Sequence, residues 1–303
     1  MADIVKIFEK LQGSFKGEIL RNEPLTRHTS WQVGGPADLF LVPVDKADLA
    51  LAVRLLAEEE CPYFPLGAGT NLLVKDGGVR GAILDLNALK DLELLENHRV
   101  RAGCGLAMAD LIRVAAEHGL GGLEYLYGIP GTVGGAVIMN AGAFHQQFGD
   151  VVVAVVWIDA GGEKTWTRDE LSFSYRTAGF NKGQIVVEVL LEFEEGDRRE
   201  LENILRERSE YRLRTHDVSG PNAGSVFRNP PGQNAWRLVD EAGMRGARIG
   251  DAQVSEKHTN FIVNLGEARA ADILALIDKV RRAVEEKTGI LLEPEVKIVG
   301  EDD

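Results

Sequence analysis

The segment Gly128–Ala143, GIPGTVGGAVIMNAGA, holds five glycines and a proline in sixteen positions, with no charged residue. Glycine tolerates positive φ and lets another backbone or a ligand come into contact distance, at an entropic cost on folding. Pro130 fixes φ ahead of Gly131, Thr132 follows, and the Gly134–Gly135 pair opens an apolar stretch that ends at Asn140. The Asn140 amide is able to read a heteroaromatic edge. Such a backbone suits a bound phosphate or a flat ring; close packing of a loop on a sheet is the competing reading.

A second bare stretch lies about 60 residues upstream, PLGAGTNLLV, Pro65–Val74. Gly67 and Gly69 flank Ala68, Thr70 and Asn71 offer side-chain hydrogen bonds, and Leu72 begins an apolar run. Bared N–H groups in such a loop form a concave anion nest. No Gly-Lys-Ser/Thr follows, so it is not a Walker A loop, and no G-x-G-x-x-G opens a long helix, so a Rossmann dinucleotide site is not supported. Two loops of this kind favour an extended cofactor with both a diphosphate and a flat ring.

The remaining composition narrows the class. The chain has 303 residues, 45% hydrophobic and 27% charged, with a net charge of −13. That charge argues against general nucleic-acid binding. No run of about 18 apolar residues predicts a membrane span, and the opening residues MADIVKIFEKLQG lack the layout of a secretory signal. They read as a short amphipathic helix with Ile4, Ile7, Phe8 and Leu11 on one face. Cys61 and Cys104 lack metal-type spacing and fit a reducing compartment, so no metal is expected and the cytoplasm is the expected location. Six arginines between Arg198 and Arg214 form a local basic run in a helical pattern. It reads as a solvated face or as an anion site, since guanidinium groups suit a diphosphate or carboxylate.

Helical and extended patterns alternate. Asp45 caps a helix carrying Leu49, Val53 and Leu56, and a second helix carries Met108, Leu111, Ile112 and Ala115. VRGAILDL and HRVRAG read as strands, as do VVVAVVWID and IVVEVLLEF, which the turn-rich AGGEKTWTRDE joins. A helix from about Ala271 to Glu286 buries Ile273, Leu276, Ile277, Val280 and Val284; Gly289 stops it, and LLEPEVKIV follows as a strand. The class is α+β, with a boundary near Glu195–Arg198. Ser225 and His258 invite a hydrolase reading, but no G-x-S-x-G elbow is present.

Seven segments, HTSWQVGGPADL, PLGAGTNLLV, GIPGTVGGAVIMNAGA, YR, GSVFRNP, VSEKHTNFIVN and LEPEVK, occur in one order between His28 and Lys297. In that order they closely resemble the UDP-N-acetylenolpyruvoylglucosamine reductase family, in its shorter type that lacks the tyrosine-bearing substrate lid. The resemblance implies a vanillyl-alcohol-oxidase/PCMH-type FAD-binding fold of two α+β subdomains, followed by an α+β substrate domain. Along the chain this gives an N-terminal helix at 1–23, FAD-binding subdomains at 24–86 and 87–197, and a substrate-binding domain at 198–303. It implies an oxidoreductase with FAD and NADPH as cofactors, small-molecule partners only, no nucleic acid or membrane, and a monomer. Val33, Gly34, Gly67, Ala68, Gly69, Thr70, Asn71 and Leu72 would line the cofactor. So would Gly128, Ile129, Pro130, Gly131, Thr132, Gly134, Gly135, Asn140 and Ala141.

The implied reaction, a step of peptidoglycan precursor synthesis, reduces an enolpyruvyl ether to a lactyl ether. Hydride passes from NADPH to FAD, then from flavin N5 to the enolpyruvyl CH2 carbon, and the α-carbon takes a proton. Charge developing on the carboxylate asks for an oxyanion stabiliser, and the α-carbon asks for a proton donor. By resemblance Arg176 holds the carboxylate, Glu295 polarises it in protonated form ahead of neighbouring Glu293, and Ser225 is the general acid. Tyr175, Asn229 and His258 would contact the UDP-sugar, and Arg212 or Arg214 its diphosphate. Two positions depart from the family pattern: Ala178 stands where a serine usually supports the arginine, and RTHDV, Arg214–Val218, replaces a Gln-Pro turn. Two other readings share these residues, a sugar or aldonolactone oxidase of the same fold and a nucleotide-sugar sensor without turnover. GSVFRNP and EPEVK have no evident role in the first, and intact Arg176, Ser225 and Glu295 weigh against the second.

Overall fold

A computed structural model describes residues 2–216 and 218–302. The chain divides into two compact units: residues 1–21, 38–68 and 81–211 form the first, and 22–37, 69–80 and 212–303 the second. This interleaved division does not coincide with the four consecutive stretches expected from the sequence. The N-terminal helix α1 (Ile4–Gln12) is no separate element, because Ile7 and Leu11 are wholly buried in the first unit's core.

In the first unit, β1 (Glu18–Pro24), β2 (Pro36–Val42), β3 (Tyr63–Leu66) and β5 (Val79–Asp85) make a four-stranded sheet in the order β1-β2-β5-β3. Strands β3 and β5 run parallel, with Tyr63 opposite Ala82. Helix α2 (Lys46–Glu58) begins where expected, since the Asp45 carboxylate accepts the Asp48 N–H at 2.8 Å. Asp48 is itself 2% exposed. Its carboxylate accepts the N–H groups of Lys16 (2.9 Å), Gly17 (3.0 Å) and Val44 (3.2 Å), tying two chain segments to one helix start.

A five-stranded antiparallel sheet has the order β12-β11-β13-β7-β6, from β6 (Leu92–Leu94), β7 (Arg99–Gly103), β11 (Val152–Asp159), β12 (Gly162–Thr167) and β13 (Ile185–Glu192). The two β-branched runs are its central neighbours, with Val155 opposite Val189. Strand β12 lies inside the stretch that reads as turns: it is an edge strand with its residues largely solvated, so no apolar alternation marks it. Helix α3 (Met108–Glu117) buries Met108, Leu111, Ile112 and Ala115, as its spacing predicts. Short pairs β8 (Leu120–Gly121) with β14 (Glu194–Glu195), and β9 (Gly142–Ala143) with β10 (Gln146–Gln147), complete the unit's strands. Its helices end with α4 (Val133–Ile138) and α5 (Arg198–Thr215), the latter running to the unit's edge at Tyr211.

The second unit has its own core, which includes Trp31, Val33, Leu73, Val226, Phe227, Ile273, Ile277 and Val280. Strand β4 (Leu72–Val74) pairs in parallel with β18 (Lys297–Val299), and β15 (Arg248–Ile249), β16 (Ala252–Val254) and β17 (Ile262–Asn264) form a three-stranded sheet. The Trp31 indole donates to the Ile262 carbonyl at 2.7 Å, and the Asn264 amide donates to the Trp31 carbonyl at 3.1 Å. Helix α6 (Ala235–Glu241) packs on α7 (Ala270–Thr288). The N-terminus of α7 is capped from elsewhere in the unit: Asp76 accepts the N–H groups of Ala270 and Ala271, both at 2.9 Å. Gly289 ends α7 at φ 73°, as the sequence predicts. Of the expected strand Leu291–Val299, only β18 and a single bridge at Pro294 are extended pairs. Among the described residues no helix is long and apolar enough to cross a membrane.

Candidate active site

In the first unit the two bare loops meet. A Cβ on Gly67 would lie 2.5 Å from the Thr132 hydroxyl, so Gly67 is bare because the other loop packs against it. Thr132 caps α4 by accepting the Gly135 N–H at 3.4 Å. The five glycines of Gly128–Ala143 do different work. Gly128 (φ 84°) and Gly131 (φ 134°) supply backbone that other residues rarely adopt. A Cβ on Gly134 would lie 2.9 Å from the Cys104 Cβ, and the Gly134 N–H donates to the Cys104 carbonyl at 2.8 Å. Gly135 is exposed, and a Cβ there would meet only the Thr132 hydroxyl, at 3.6 Å. Gly135 therefore presents the open face against which a ring or phosphate can lie.

The N–H groups of Val133 and Gly134, at the start of α4, are engaged by the carbonyls of Leu106 and Cys104. Anion-binding capacity lies in the upstream loop instead. There the N–H groups of Ala68 and Gly69 donate to no group among the described residues, and Gly69 has φ 63°. Consecutive N–H groups ending in a left-handed residue form a nest for an anion. The open face of Gly135 suits a flat ring or phosphate and the nest suits an anion, the two kinds of group that a dinucleotide cofactor carries. Ile129 and Ala141 pack on the first core.

The Asn140 amide, expected to read a ring edge, is turned inward. Asn140 is 2% exposed, with φ 40°. Its Nδ2 donates to the Gln147 side chain (2.8 Å) and the Ser174 carbonyl (3.0 Å), and its Oδ1 accepts the Gly149 N–H (3.0 Å).

Arg176 sits in the tight turn Ser174–Thr177, whose ends exchange backbone hydrogen bonds of 3.0 and 3.2 Å. Its φ is 61°, the left-handed region that a turn's third position otherwise gives to glycine. Such backbone strain, of about 1–3 kcal/mol, persists where surrounding structure holds it and clusters at functional sites. The guanidinium donates to the Gly142 carbonyl at 3.3 Å and stacks over the Tyr175 ring at 5.0 Å. Tyr175 is 51% exposed, whereas Ala178 is buried in the core. A backbone carbonyl thus supports the arginine in this chain, where the sequence departs from the expected serine at Ala178.

In the second unit Ser225 and Glu295 fall on two paired backbone segments. Phe227 bridges Pro294 in antiparallel fashion, the Glu295 N–H donates to the Val226 carbonyl (2.7 Å), and the Arg228 N–H donates to the Glu293 carbonyl (2.9 Å). Asn260 clamps the same segment and is 4% exposed. Its carbonyl accepts the Val226 N–H (2.8 Å), while its side chain accepts the Phe227 N–H and donates to the Phe227 carbonyl, each at 2.9 Å. Sequence reasoning assigned Asn260 no role; an amide set immediately before the apolar run FIVN is the signal that could have found it. Asn71 holds the Glu295 segment through its carbonyl, which accepts the Lys297 N–H (3.0 Å), and its Nδ2, which donates to the Glu295 carbonyl (3.4 Å).

The other expected residues of this unit have structural partners. Leu72 is buried in β4, Val33 is 2% exposed in the core, and Gly34 (φ 119°) packs against Val74. Asn229 Oδ1 accepts the Ala235 N–H at 2.9 Å and so supports the start of α6. His258 stacks among His216 (5.0 Å), Phe261 (4.7 Å) and Trp236 (6.3 Å). Burial holds its pKa below the ordinary value, and burial with neighbouring His258 pushes His216 down to about 4. Arg212 and Arg214 lie in the last turn of α5, where cations suit the helix dipole. Asp217, in the stretch that replaces the usual turn, lies outside the described residues. Upstream in that helix, Arg198 pairs with Glu202 (2.7 Å), and Arg208 stacks on Phe144 (4.7 Å) and Tyr125 (5.4 Å).

Residues 37–168 match the family description "FAD binding domain", and residues 215–299 match "UDP-N-acetylenolpyruvoylglucosamine reductase, C-terminal domain". With the α+β fold and the two bare loops, the first match defines the class: an FAD-binding oxidoreductase of PCMH type. The reductase of Syntrophotalea carbinolica is 48% identical over 290 residues, 94% of this chain and 97% of that one. The reductase of Geobacter metallireducens is 46% identical over 98% of this chain and 99% of its own length. The crystal structure of the reductase from Thermus caldophilus superposes with a TM-score of 0.79 at 37% identity, covering 93% of this chain and 98% of that one. The chain belongs to the UDP-N-acetylenolpyruvoylglucosamine reductase family.

Proposed function

We propose that this protein reduces UDP-N-acetylglucosamine enolpyruvate to UDP-N-acetylmuramate, with NADPH as reductant and FAD as cofactor. When bound, FAD would supply the redox chemistry that links NADPH to reduction of the enolpyruvyl double bond. Gly135, with the N–H groups of Ala68 and Gly69, would hold FAD. The chain's own residues handle charge and proton. Arg176 holds the substrate carboxylate on which negative charge develops, and Glu295, protonated, donates a hydrogen bond to the same group. The Ser225 hydroxyl gives its proton to the α-carbon, so hydride and proton together saturate the double bond. A serine hydroxyl is a weak acid in water, but the enediolate it meets is a strong base, which narrows the mismatch.

The observation that carries this reading is the backbone pairing of the Ser225 and Glu295 segments, clamped by Asn260 and held by Asn71. It holds the backbone segments that carry Ser225 and Glu295 against each other before any substrate arrives, which supports pairing them as proton donor and carboxylate polariser. The test is anaerobic visible spectroscopy of the holoenzyme. NADPH should bleach the yellow flavin band and the enolpyruvyl sugar should restore it. Ser225→Ala should leave bleaching intact and slow restoration by roughly 10²–10⁴-fold. A protein that takes up no FAD, or a Ser225→Ala variant restored at the wild-type rate, would overturn the proposal.

A further inference from the structure

We infer that Asn140 is a positioning residue for Arg176, its buried amide clamping the strained turn that carries the guanidinium. The inference rests on the proposed role of Arg176 toward the substrate carboxylate. Both Asn140 N–H donors are used, on Gln147 and on Ser174, and Oδ1 is used by Gly149. The orientation of the Gln147 amide is fixed in turn, because its Nε2 donates to Asp150 at 3.0 Å. A fully connected set of this kind has one arrangement.

Its outcome is felt at Arg176. The Ser174 carbonyl accepts from Asn140 and from the Thr177 N–H (3.2 Å), which closes the turn around Tyr175 and Arg176. The guanidinium meanwhile donates to Gly142, which pairs across the hairpin with Gln147. Backbone and side-chain end of Arg176 are therefore both referenced to the hairpin Gly142–Gln147, and Asn140 is the link between that hairpin and the turn. Releasing the turn lets a residue at φ 61° relax, and the guanidinium shifts with it. A displacement on the order of 1 Å in such a group costs up to ~100-fold in rate.

Asn140→Asp keeps the acceptor for Gly149 and sets an oxygen against Gln147 and Ser174. Stopped-flow absorbance of the FAD-loaded enzyme reads the two half-reactions separately. Restoration of the flavin band by the enolpyruvyl sugar should slow by ~10- to 100-fold, while bleaching by NADPH, the flavin spectrum and FAD affinity stay within about twofold. In an Arg176→Ala background the same change should add no further slowing. Gln147→Met, at a half-buried site, should give a smaller effect in the same direction and serves where Asn140→Asp does not fold. Restoration at the wild-type rate, equal slowing of both half-reactions, or a changed flavin spectrum with weakened FAD binding would overturn the inference. The last result would mean that the amide reads the cofactor. Should Arg176→Ala alone restore the band at the wild-type rate, the functional proposal falls and not merely this one.

Discussion

Arg176 joins a left-handed backbone to the role proposed for it toward the substrate carboxylate. Replacing it by glycine removes a left-handed non-glycine residue, while glycine's own unfolded-state freedom costs about 0.5–1 kcal/mol. Arg176→Gly should therefore unfold in urea within about 1 kcal/mol of wild type yet lose restoration of the flavin band. Asp48 is the opposite case, a carboxylate with structural duties only. Asp48→Ala leaves the part-buried N–H groups of Lys16, Gly17 and Val44 without the carboxylate that accepts them. A loss on the order of 3 kcal/mol in urea unfolding is expected. His216 sets a pH dependence. Its folded pKa, about 4 against an ordinary 6.5, means the unfolded chain takes up a proton that the folded chain refuses. Stability is lost as pH falls from about 6.5 to about 4. His258, also depressed, acts in the same direction. His216→Phe keeps an aromatic ring and removes one titration, so its urea midpoint should fall less than wild type's over that window. At this scale the sequence was only partly legible. Motif order singles out Arg176, Ser225 and Glu295 as candidates, but the inward engagement of Asn140 and Asn260 depends on partners 34 and 33 residues away. No local pattern announces such partners.

The elements were more legible, because helical spacing and β-branched runs are local signals. The buried stripe of α7 and the caps at Asp45 and Gly289 follow directly from residue order. Strand β12 escaped because an edge strand can be polar on both faces. The glycines of α4 show what pattern alone leaves ambiguous, since packing glycines and ligand-facing glycines are spelled alike. Substitution separates them. Gly134→Ala drives a Cβ to within 2.9 Å of Cys104 and should destabilise by about 1–3 kcal/mol. Gly135→Ala meets nothing closer than 3.6 Å. It should hold or raise apo-protein stability through helix propensity, by up to ~1 kcal/mol, while weakening FAD retention. Urea unfolding of apoprotein and fluorescence titration with FAD make both comparisons.

Across the whole molecule, the division into interleaved units was the least legible feature, because a linear reading assigns neighbours in sequence to one domain. The second unit's core takes Trp31, Val33 and Leu73 from segments far upstream of Arg212. Each such side chain contributes roughly 1.5–3 kcal/mol on burial, and three together rival the net stability of a domain, about 5–15 kcal/mol. A fragment of residues 212–303 alone should therefore give the proton NMR spectrum of an unfolded chain. Dispersed methyl signals from that fragment would show the upstream segments to be dispensable.

The pairing of β4 with β18 also imposes an order of events in time. Residues 72–74 leave the ribosome long before residues 297–299 exist to receive them. At ~5–20 residues per second, the wait is roughly 10–45 s. During synthesis Trp31, Val33 and Leu73 must stay unburied in their final sense, and they are natural handles for a chaperone that binds nascent apolar segments. The second unit is completed only as translation reaches β18, so a ribosome stalled before that strand leaves the unit's earliest segments without their native partner.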